Sequence, residues 1–503
     1  MESYETRRME CMKMEWSKLL SEETLSSRTK GAKLLDNQNE SPFEEDYRRI
    51  VLSSAFRRLQ DKTQVFPLDK SDFVRTRLTH SIETSSVAKQ LGAFIFQYSS
   101  ERTKQAEMTL GEEKHRISEI QNVLSCAGLL HDLGNPPFGH FGEELVGQWF
   151  RTKFNDETWV FNGKTITSRL DGQMRSDLEN FNGNAQNIRL IAKACRPDTG
   201  ASNDLNLSYA TVQTLIKYPR SSTEAVPKDK FGYFFSEEDL VKKIAATTET
   251  IENGIILRHP LTSLLEVADD IAYATADLED AFKKGAFTLT EFIAFYEKEI
   301  SDLSEERGIA KAKMREDPIN LIEELKNLLT KENRTREEEL IAFNSFVKYA
   351  RHWLVHTAGF SFLANYIKIM EGSYKQDLHI GTFHELSIQA FKNAMKVFVY
   401  DSEMIIRPEL SAQTIIFFLL DRLVPAAISF DADEGGKRIL AVDKKASYLI
   451  PENLKEDYCK TKKEGAENYN LYLRLLMVTD FISGMTDSYA KNLYQDLSCA
   501  GGF

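Results

Sequence analysis

Two adjacent side chains that can ligate a metal ion, His131 and Asp132, begin the run HDLGNPPFGHFGEE at 131–144. The pair follows an apolar segment, so a helix would deliver both side chains at its C-terminal end. Two residues cannot hold a divalent ion in a defined geometry, and more imidazole or carboxylate ligands are needed from elsewhere in the chain. The best candidates are His80 and Asp269.

The segment LLEVADDIAYATADLED carries Asp269, Tyr273 and Asp277 at intervals of four residues. At roughly 100° per residue, these three side chains lie within about 80° of one helix face. That face can present a metal ligand, an aromatic ring and a second carboxylate to one cavity. Asp270 points about 100° away from Asp269, and we therefore assign the ligand to Asp269.

His80, His131, Asp132 and Asp269 together make a set of two imidazoles and two carboxylates. Such mixed nitrogen and oxygen ligands suit Mn, Fe, Mg or Zn, so the ligand types alone do not choose the metal. Taken singly, each of these residues is more often a helix cap or a satisfied polar group than a ligand. The prediction depends on the four acting together.

His140 and Glu143 are three residues apart at the start of the next helical segment. A carboxylate at this spacing can orient the imidazole and set its protonation, which is the arrangement of a general acid/base pair. Such a pair contributes on the order of 10²- to 10⁴-fold to a rate. The alternative is a capping histidine followed by an ordinary first-turn glutamate.

Cationic side chains near these residues suit an anionic phosphate substrate. Arg77 lies three positions before His80, and Lys217 and Tyr218 could add a second cationic and a phenolic contact. The alternative for each of them is a solvated surface group. His352 and His356 have metal-like spacing, but they lack the glutamate of HExxH and lie among apolar residues, which favours core or surface histidines. Neither GxxxxGK[ST] nor GxGxxG occurs, so phosphate-loop and dinucleotide-fold chemistry is not supported.

The composition predicts an all-α protein. Of 503 residues, 42% are hydrophobic and 28% are charged, and only 12 are proline and 25 glycine, so long amphipathic stretches dominate. The formal charge of −12 argues against a protein that coats a polyanion, and phosphate binding would depend on a local basic cluster. The candidates for that cluster are Arg57, Arg58, Lys62, Arg75 and Arg77.

The five cysteines are scattered and odd in number, which indicates reduced thiols in a cytoplasmic protein rather than a disulfide framework or a zinc ribbon. The N-terminus lacks an apolar signal region, and no run of about 18 apolar residues occurs. We therefore expect neither secretion nor a membrane span.

The chain divides into a polar N-terminal arm (1–40), a core that carries the candidate site (41–285) and a helical C-terminal region (286–503). Ser41, Pro42 and Glu44 stand in the order of an N-cap, a first-turn proline and a capping-box carboxylate, so we expect the ordered core to begin there. Helices are predicted over 43–62, 79–97, 119–133, 143–154, 260–284, 286–350 and 390–490. The stretch 155–235 is richer in Asn, Gly and Asp, and we expect pocket-lining loops there.

Several segments together resemble a known family. They are RRLQDKTQVFPL (57–68), RTRLTHSIE (75–83), HDLGNPPFGHFGEE (131–144), NFNGNAQ (180–186), ADDIAYATADLED (268–280) and DFISGMTDSYA (480–490). The set closely resembles the bacterial deoxyguanosinetriphosphate triphosphohydrolases of the HD-domain superfamily. The HD pair alone is shared by many phosphohydrolases, whereas the whole set is distinctive and spans most of the chain.

The resemblance implies an all-α HD-domain fold and hydrolysis of a deoxynucleoside triphosphate (dNTP), preferentially dGTP, to the deoxynucleoside and inorganic tripolyphosphate. It implies that His80, His131, Asp132 and Asp269 hold a divalent metal, most simply Mg²⁺ or Mn²⁺, and that His140 and Glu143 are the catalytic pair. The implied substrate contacts are Gln64, Tyr273 and Asp277 at the deoxyribose, Arg77, Lys217 and Tyr218 at the phosphates, and Asn184 in the pocket.

Members of that family form homo-oligomers, commonly hexamers, and some are activated by single-stranded DNA. The region 286–475 carries few matching motifs, although in the family it helps to form the base pocket and the oligomer contacts. Guanine preference is therefore less firmly implied than triphosphohydrolysis. A broad-specificity dNTP triphosphohydrolase, an HD phosphodiesterase or nuclease, and a non-catalytic nucleotide or DNA sensor remain as alternatives.

Overall fold

The computed structural model describes residues 14–26, 41–69, 71–99, 113–170, 172–194, 205–225, 230–307, 317–331, 333–382, 384–431 and 440–498. Over these residues the chain folds into 21 α-helices, and its only strands form two small two-stranded antiparallel ribbons. This confirms the predicted all-α class. Cys126 and Cys459 are free thiols, and the other three cysteines lie outside the described residues.

The first half of the chain contains the helices that surround the candidate site. They are α1 (Trp16–Leu19), α2 (Pro42–Leu52), α3 (Ser54–Arg58), α4 (Arg77–Gln97), α5 (Ile117–Leu130), α6 (Gly139–Phe154), α7 (Gly172–Glu179), α8 (Gly183–Ala194), α9 (Tyr209–Leu215), α10 (Glu238–Thr247) and α11 (Pro260–Lys283). The ribbons are β1 (Val160–Phe161) with β2 (Lys164–Thr165), and β3 (Ile251–Glu252) with β4 (Ile255–Ile256).

The second half is helical as predicted. Its helices are α12 (Leu289–Glu306), α13 (Asp317–Leu329), α14 (Arg336–Ala364), α15 (Tyr366–Met370), α16 (Glu385–Met395), α17 (Glu403–Ser429), α18 (Ala441–Ala446), α19 (Glu452–Thr461), α20 (Glu467–Ser483) and α21 (Asp487–Ser498). A π-helical segment, Lys396–Tyr400, continues α16.

The helix start at Ser41 has the predicted capping box. The Ser41 hydroxyl accepts from the Glu44 amide at 3.2 Å, and the Glu44 carboxylate accepts from the Ser41 amide at 3.0 Å. These two bonds satisfy amide groups that the first turn of a helix leaves unpaired.

The prediction of loops over 155–235 is wrong in part, because α7, α8 and α9 lie within it. The glycines that suggested loops, Gly172 and Gly183, are the first residues of α7 and α8 and do not interrupt a helix. Leu178 in α7 and Ile188 and Ile191 in α8 are buried, and these side chains form the apolar sides of the two helices. Residues 226–229, from the same predicted loop, lie outside the described residues.

The expectation of a surface arm over 1–40 is wrong for residues 14–20. Met14, Trp16, Leu19 and Leu20 are buried in the largest hydrophobic cluster, and the Trp16 indole donates to the Tyr366 hydroxyl at 2.9 Å. The ordered core therefore includes residues that precede Ser41. Residues 1–13 and 27–40 lie outside the described part of the chain.

Packing is continuous across the predicted boundary at residue 285. The Phe282 ring at the end of α11 stacks on Phe343 of α14 with 4.2 Å between ring centroids. Both residues belong to one hydrophobic cluster, which extends from Met14 to Ile405. The division at 285 remains a prediction from sequence.

One described helix, α17, is long and apolar enough by length and composition to cross a membrane. In its most apolar window 56% of the residues are buried, and Leu419, Leu420 and Leu423 are fully enclosed in the second hydrophobic cluster. Core helices of soluble proteins pass the same test, so α17 is weak evidence for a membrane span.

Candidate metal centre and catalytic pair

Three helices bring the four predicted metal ligands together. The first turn of α4 carries His80, the residues after α5 are His131 and Asp132, and the middle of α11 carries Asp269. The close approach of α4 and α5 depends on Gly128, since a Cβ atom there would lie 2.5 Å from the Ser85 Cα atom.

Asp269 lies between the two imidazoles. Its Oδ1 atom is 3.1 Å from His80 Nε2 and 3.1 Å from His131 Nε2. His131 Nε2 is 3.4 Å from Asp132 Oδ2, and the ligand atoms of His80, His131 and Asp132 all lie within 4.8 Å of one another. Neighbouring ligands at an ion with bonds of about 2.1 Å lie roughly 3 Å apart, so this spacing fits a divalent ion.

Hydrogen bonds orient these ligands. His131 Nδ1 donates to the Gly128 carbonyl at 2.8 Å, which directs Nε2 towards the carboxylates. Asp132 Oδ1 accepts from the Asn135 amide at 2.9 Å. The Asn187 side-chain amide, through Nδ2, donates to the Leu130 and His131 carbonyls at 2.9 and 3.2 Å. It thereby holds the backbone turn that carries the HD pair.

The charges of the site favour a bound cation. Burial alone would lower the pKa of His131, but Asp132 and Asp269 raise it to about 10. Burial would raise the pKa of Asp269, but Lys217 and His131 hold it well below the usual range. At neutral pH the raised pKa keeps a proton on His131, and a divalent ion at the four ligands would displace that proton and take its place beside the ionised Asp132 and Asp269.

The candidate catalytic pair lies on the first turn of α6. His140 Nδ1 is 3.0 Å from Glu143 Oε1, the His140 side chain is 69% exposed, and Glu143 is buried. Burial opposes ionisation of Glu143, but His140 lowers its pKa below the usual value. The buried carboxylate therefore stays charged and holds an imidazole that is open to solvent.

A tight turn precedes this pair. Phe138 and Gly139 both have positive φ angles, +66° and +61°. At Gly139, a Cβ atom would lie 2.9 Å from the Arg77 guanidinium, so glycine allows the turn to pack against Arg77. The helix begins at Gly139, whereas the sequence pattern predicts a start at Glu143.

Two of the three predicted phosphate contacts, Arg77 and Lys217, lie next to the metal-ligand candidates. The buried Arg77 guanidinium pairs with Asp132, and its Nε donates to the Thr63 carbonyl at 3.2 Å. Lys217 Nζ is 2.8 Å from Asp269 Oδ2. Tyr218 follows Lys217 directly and is partly buried.

The predicted sugar contacts are partly enclosed. The Tyr273 hydroxyl hydrogen-bonds to the Tyr400 hydroxyl of the π-helical segment. Asp277 is fully buried, burial raises its pKa well above the usual value, and neither of its oxygens has a partner among the described residues. Gln64 Oε1 is likewise a buried oxygen without a hydrogen-bond partner among the described residues. Asn184, in the first turn of α8, donates to the Asn182 side chain at 2.9 Å.

The five basic residues predicted to form a local cluster have different partners, although the charges of Arg77 and Arg58 both act on Lys62. Arg75 is paired with Glu83, Glu279 and Asp280. Lys62 is buried and donates to two backbone carbonyls, while Arg57 and Arg58 donate to the Leu52 and Gly484 carbonyls. Of the five, Arg77 is the one that contacts a metal-ligand candidate. The partners of Arg58, Lys62 and Arg75 in distant segments had no signal in the sequence.

Comparison with known proteins places the chain in a family. The model of the HD domain matches residues 77–205. The deoxyguanosinetriphosphate triphosphohydrolase-like protein of Listeria monocytogenes is 40% identical over 490 residues, 96% of this chain and 99% of the relative. The deoxyguanosinetriphosphate triphosphohydrolase of Yersinia pestis is 30% identical over 504 residues, 91% of this chain and 94% of the relative. The chain belongs to the deoxyguanosinetriphosphate triphosphohydrolase family of the HD superfamily.

Family membership makes this chain a hydrolase, and the predicted resemblance is confirmed. The HD match contains His80, His131, Asp132, His140 and Glu143. Asp269 and the predicted sugar contacts Gln64, Tyr273 and Asp277 lie outside it.

Sequence reasoning missed residues that lie close to the site. The positive charge of Lys230 helps to lower the pKa of Glu143. Tyr400 contacts Tyr273 across 127 positions of sequence, and Asn187 holds the HD turn. Lys230 belongs to the stretch 155–235, for which the sequence predicts pocket-lining loops, so its cationic type was the available signal.

Proposed function

We propose that this hydrolase converts dGTP to deoxyguanosine and inorganic tripolyphosphate, and that it needs a divalent metal, Mg²⁺ or Mn²⁺. The observation that carries the proposal is the arrangement of Asp269, whose one oxygen lies 3.1 Å from both imidazoles while the other pairs with Lys217. The relatives named above support the choice of substrate.

His80, His131, Asp132 and Asp269 would hold the ion. When bound, a divalent ion neutralises phosphate charge and polarises a phosphoryl oxygen. Asn135 and the Gly128 carbonyl keep two of these ligands oriented. Such supporting contacts typically change metal affinity or activity by about 10- to 100-fold when removed.

Arg77 and Lys217 supply the positive charges for the triphosphate. Each already pairs with a ligand carboxylate, so each cation lies beside the place where an anionic substrate would meet the ion. Guanidinium and ammonium groups in a partly dry site stabilise the charge that develops as phosphate leaves. Tyr218 adds a phenolic contact.

His140, held by Glu143, moves the proton. In the proposed reaction a water oxygen attacks the α-phosphorus, and the bond between that phosphorus and the 5′ oxygen breaks. His140 accepts the proton of the water and returns one to the departing 5′ oxygen, so the products are tripolyphosphate and the neutral deoxynucleoside. The exposed ring can reach a substrate, since only its Nδ1 is engaged with Glu143.

Gln64, Tyr273 and Asp277 would select the sugar. Gln64 Oε1 and both Asp277 oxygens are buried without a partner among the described residues, and a 3′ hydroxyl would donate a hydrogen bond to one of them. With the Tyr273 ring beneath the sugar, a ribose 2′ hydroxyl would collide with it. Asn184 is proposed as a further pocket contact.

The nearest alternative is a dNTP triphosphohydrolase with little base preference. The same metal site and catalytic pair would serve it, because they contact no base. An HD phosphodiesterase or nuclease is less favoured, and it would release monophosphates.

A specificity assay separates these functions. Purified protein with Mn²⁺ would be given dGTP, dATP, dCTP, dTTP and GTP, each alone and then as a mixture, with tripolyphosphate release as the readout. We expect dGTP to be used fastest and GTP poorly. Equal rates on all four dNTPs would indicate broad specificity, and failure to release tripolyphosphate from any of them would reject the proposal.

We also propose that the enzyme works in the cytoplasm as a homo-oligomer, a hexamer by family precedent, with single-stranded DNA as a candidate activator. The family resemblance supports this assembly. The net charge of −12 means that any DNA site would be a local groove.

A further inference from the structure

The C-terminal motif DFISGMTDSYA provides none of the proposed ligands or substrate contacts, yet one of its carboxylates joins two segments of the site. Asp487 is buried at the start of α21. Its Oδ2 accepts from the Thr63 amide at 3.0 Å and also from the Thr63 hydroxyl. Its Oδ1 accepts from the Phe138 amide at 3.1 Å.

On one side, Asp487 fixes the segment that holds Arg77. The Thr63 carbonyl accepts from Arg77 Nε at 3.2 Å, and the Lys62 carbonyl accepts from the Arg77 amide at 3.0 Å. Arg77 in turn pairs with Asp132. Two residues, Thr63 and Arg77, therefore link the Asp487 carboxylate to Asp132, a metal-ligand candidate.

On the other side, Asp487 fixes the turn that carries His140. Phe138 has a φ of +66°, a left-handed conformation that is unfavourable for a residue with a side chain and needs support from its surroundings. The Phe138 amide bond to Asp487 is such support. His140 follows two positions later in the first turn of α6.

Independent contacts join the same three segments. The buried Lys62 ammonium donates to the Asn135 carbonyl and to the Ser483 carbonyl, both at 2.6 Å. The Ser488 hydroxyl donates to Asp61 at 2.9 Å. Ser483 and Ser488 of the C-terminal motif thus also hold together the segments 61–63, 135–138 and 483–488.

We propose that Asp487 is a positioning residue, which sets the place of the His140–Glu143 pair relative to Arg77 and the metal ligands. It accepts three hydrogen bonds from two segments that are 75 residues apart in sequence, and a carboxylate can accept them all. Its kinetic consequence depends on the proposed function, whereas its effect on the Phe138 turn does not.

The test replaces the carboxylate by an amide of the same shape, Asp487→Asn, in the full-length protein. An amide side chain has one oxygen that accepts and one nitrogen that donates. The nitrogen would face the N–H of Phe138 or the donors of Thr63, so the hydrogen bond on that side is lost. We expect kcat for dGTP to fall by about 10- to 100-fold, because small misplacements of reacting groups cost this much. The KM for dGTP should change much less, and so should the Mn²⁺ affinity measured by titration calorimetry.

Asp46→Asn is the matched control. Asp46 is equally buried and accepts from Ser208 and Thr211, but these contacts lie away from residues 61–63 and 135–138. It should lower thermal stability without the loss of kcat. Thr63→Val, which removes only one hydroxyl, provides a milder change if Asp487→Asn does not fold, and it should lower kcat in the same direction.

Hydrogen–deuterium exchange gives a readout that needs no activity. In Asp487→Asn, or in Thr63→Val if that replaces it, peptides that cover 134–142 should exchange faster than in the wild type and in Asp46→Asn. Unchanged exchange there would overturn the proposal whatever the kinetics, and so would a kcat equal to that of Asp46→Asn. If the wild type hydrolyses no dNTP, the proposed function fails, and exchange alone then decides the role of Asp487.

Discussion

Asp269 and Asp270 are neighbours in sequence, but packing gives them different partners. Asp269 contacts two imidazoles and Lys217, and its pKa is held well below the usual range. Asp270 points away and pairs with Lys392 at 3.0 Å, and burial raises its pKa to about 7. A rotation of roughly 100° about the helix axis separates the two roles.

This difference predicts unequal effects of two matched substitutions. Asp269→Asn should abolish measurable Mn²⁺ binding in titration calorimetry, because it removes a ligand and leaves Lys217 unpaired. Asp270→Asn should keep the Mn²⁺ affinity within about threefold, as expected for a group outside the ligand set. The reverse order of effects would show that the ligand is Asp270.

Glu143 should affect the rate and not the metal. Glu143→Gln keeps the shape of the side chain but removes the charge that holds His140 at 3.0 Å. We expect kcat to fall by about 10²-fold or more, with Mn²⁺ affinity unchanged. Steady-state kinetics at saturating Mn²⁺ test this, and a kcat within threefold of wild type would refute a role for the pair in proton transfer.

Sequence alone could predict the site where residue type and helix geometry carry the information. The HD pair and the choice of Asp269 over Asp270 follow from ligand chemistry and the helical period. Asn187 and Asp487 could not be found in this way, because their roles depend on contacts between distant segments.

At the scale of elements, α20 is fixed to α8 by a buried ionic network. Asp480 contacts Arg189 and Lys193, and Arg189 also pairs with Glu237. Burial opposes ionisation of Asp480, but Arg189 and Lys193 lower its pKa to about 2. Because Asn187 of α8 also holds the HD turn, the network connects α20 with the candidate metal centre.

The lowered pKa of Asp480 predicts a pH dependence of stability. A depressed carboxyl pKa contributes stability that is present above the unfolded value near 4 and is lost as pH falls towards 2. A shift of this size corresponds to about 2 kcal/mol. Denaturant unfolding between pH 7 and pH 2 should show the loss in the wild type, and Asp480→Asn should lack this component.

At neutral pH, Asp480→Asn should lower the free energy of unfolding by about 3 kcal/mol or more, since it leaves the buried cations Arg189 and Lys193 under-paired. The control is Asp431→Asn, which breaks a more exposed pair with Lys462 and should cost less than about 1 kcal/mol. Equal losses in the two variants would contradict the structural role of the network.

The sequence pattern predicts the long periodic helices closely, whereas its prediction of loops is wrong for α7, α8 and α9. The segment Pro260–Lys283 differs from its prediction by one residue. The shorter helices have polar, glycine-containing sequences, and their formation depends on the tertiary burial of a narrow apolar face. Local pattern cannot report such burial.

At the scale of the whole molecule, the N-terminal segment and the C-terminal region share one core. Trp16 is buried and donates to Tyr366, 350 positions away in sequence. Polar neighbours concealed this role in the sequence, and the ordered core therefore begins earlier than predicted.

Trp16→Ala should destabilise the whole protein by about 3 to 5 kcal/mol, because it empties a large buried site. Tyr47→Ala, at a side chain that is 44% exposed, should change stability by less than about 0.5 kcal/mol. Denaturant melts of both variants test this, and a wild-type-like Trp16→Ala would mean that residues 14–20 do not stabilise the core.

The most direct test of the central claim is product analysis of dGTP hydrolysis. Wild type and His131→Ala would each be incubated with dGTP and Mn²⁺, and with dGTP and a chelator, and the products separated by ion-exchange chromatography. We predict equal amounts of deoxyguanosine and tripolyphosphate from the wild type with Mn²⁺, and neither product in the chelated or His131→Ala reactions. Release of pyrophosphate or of a nucleoside monophosphate, or full activity in His131→Ala, would contradict the proposed metal centre and reaction.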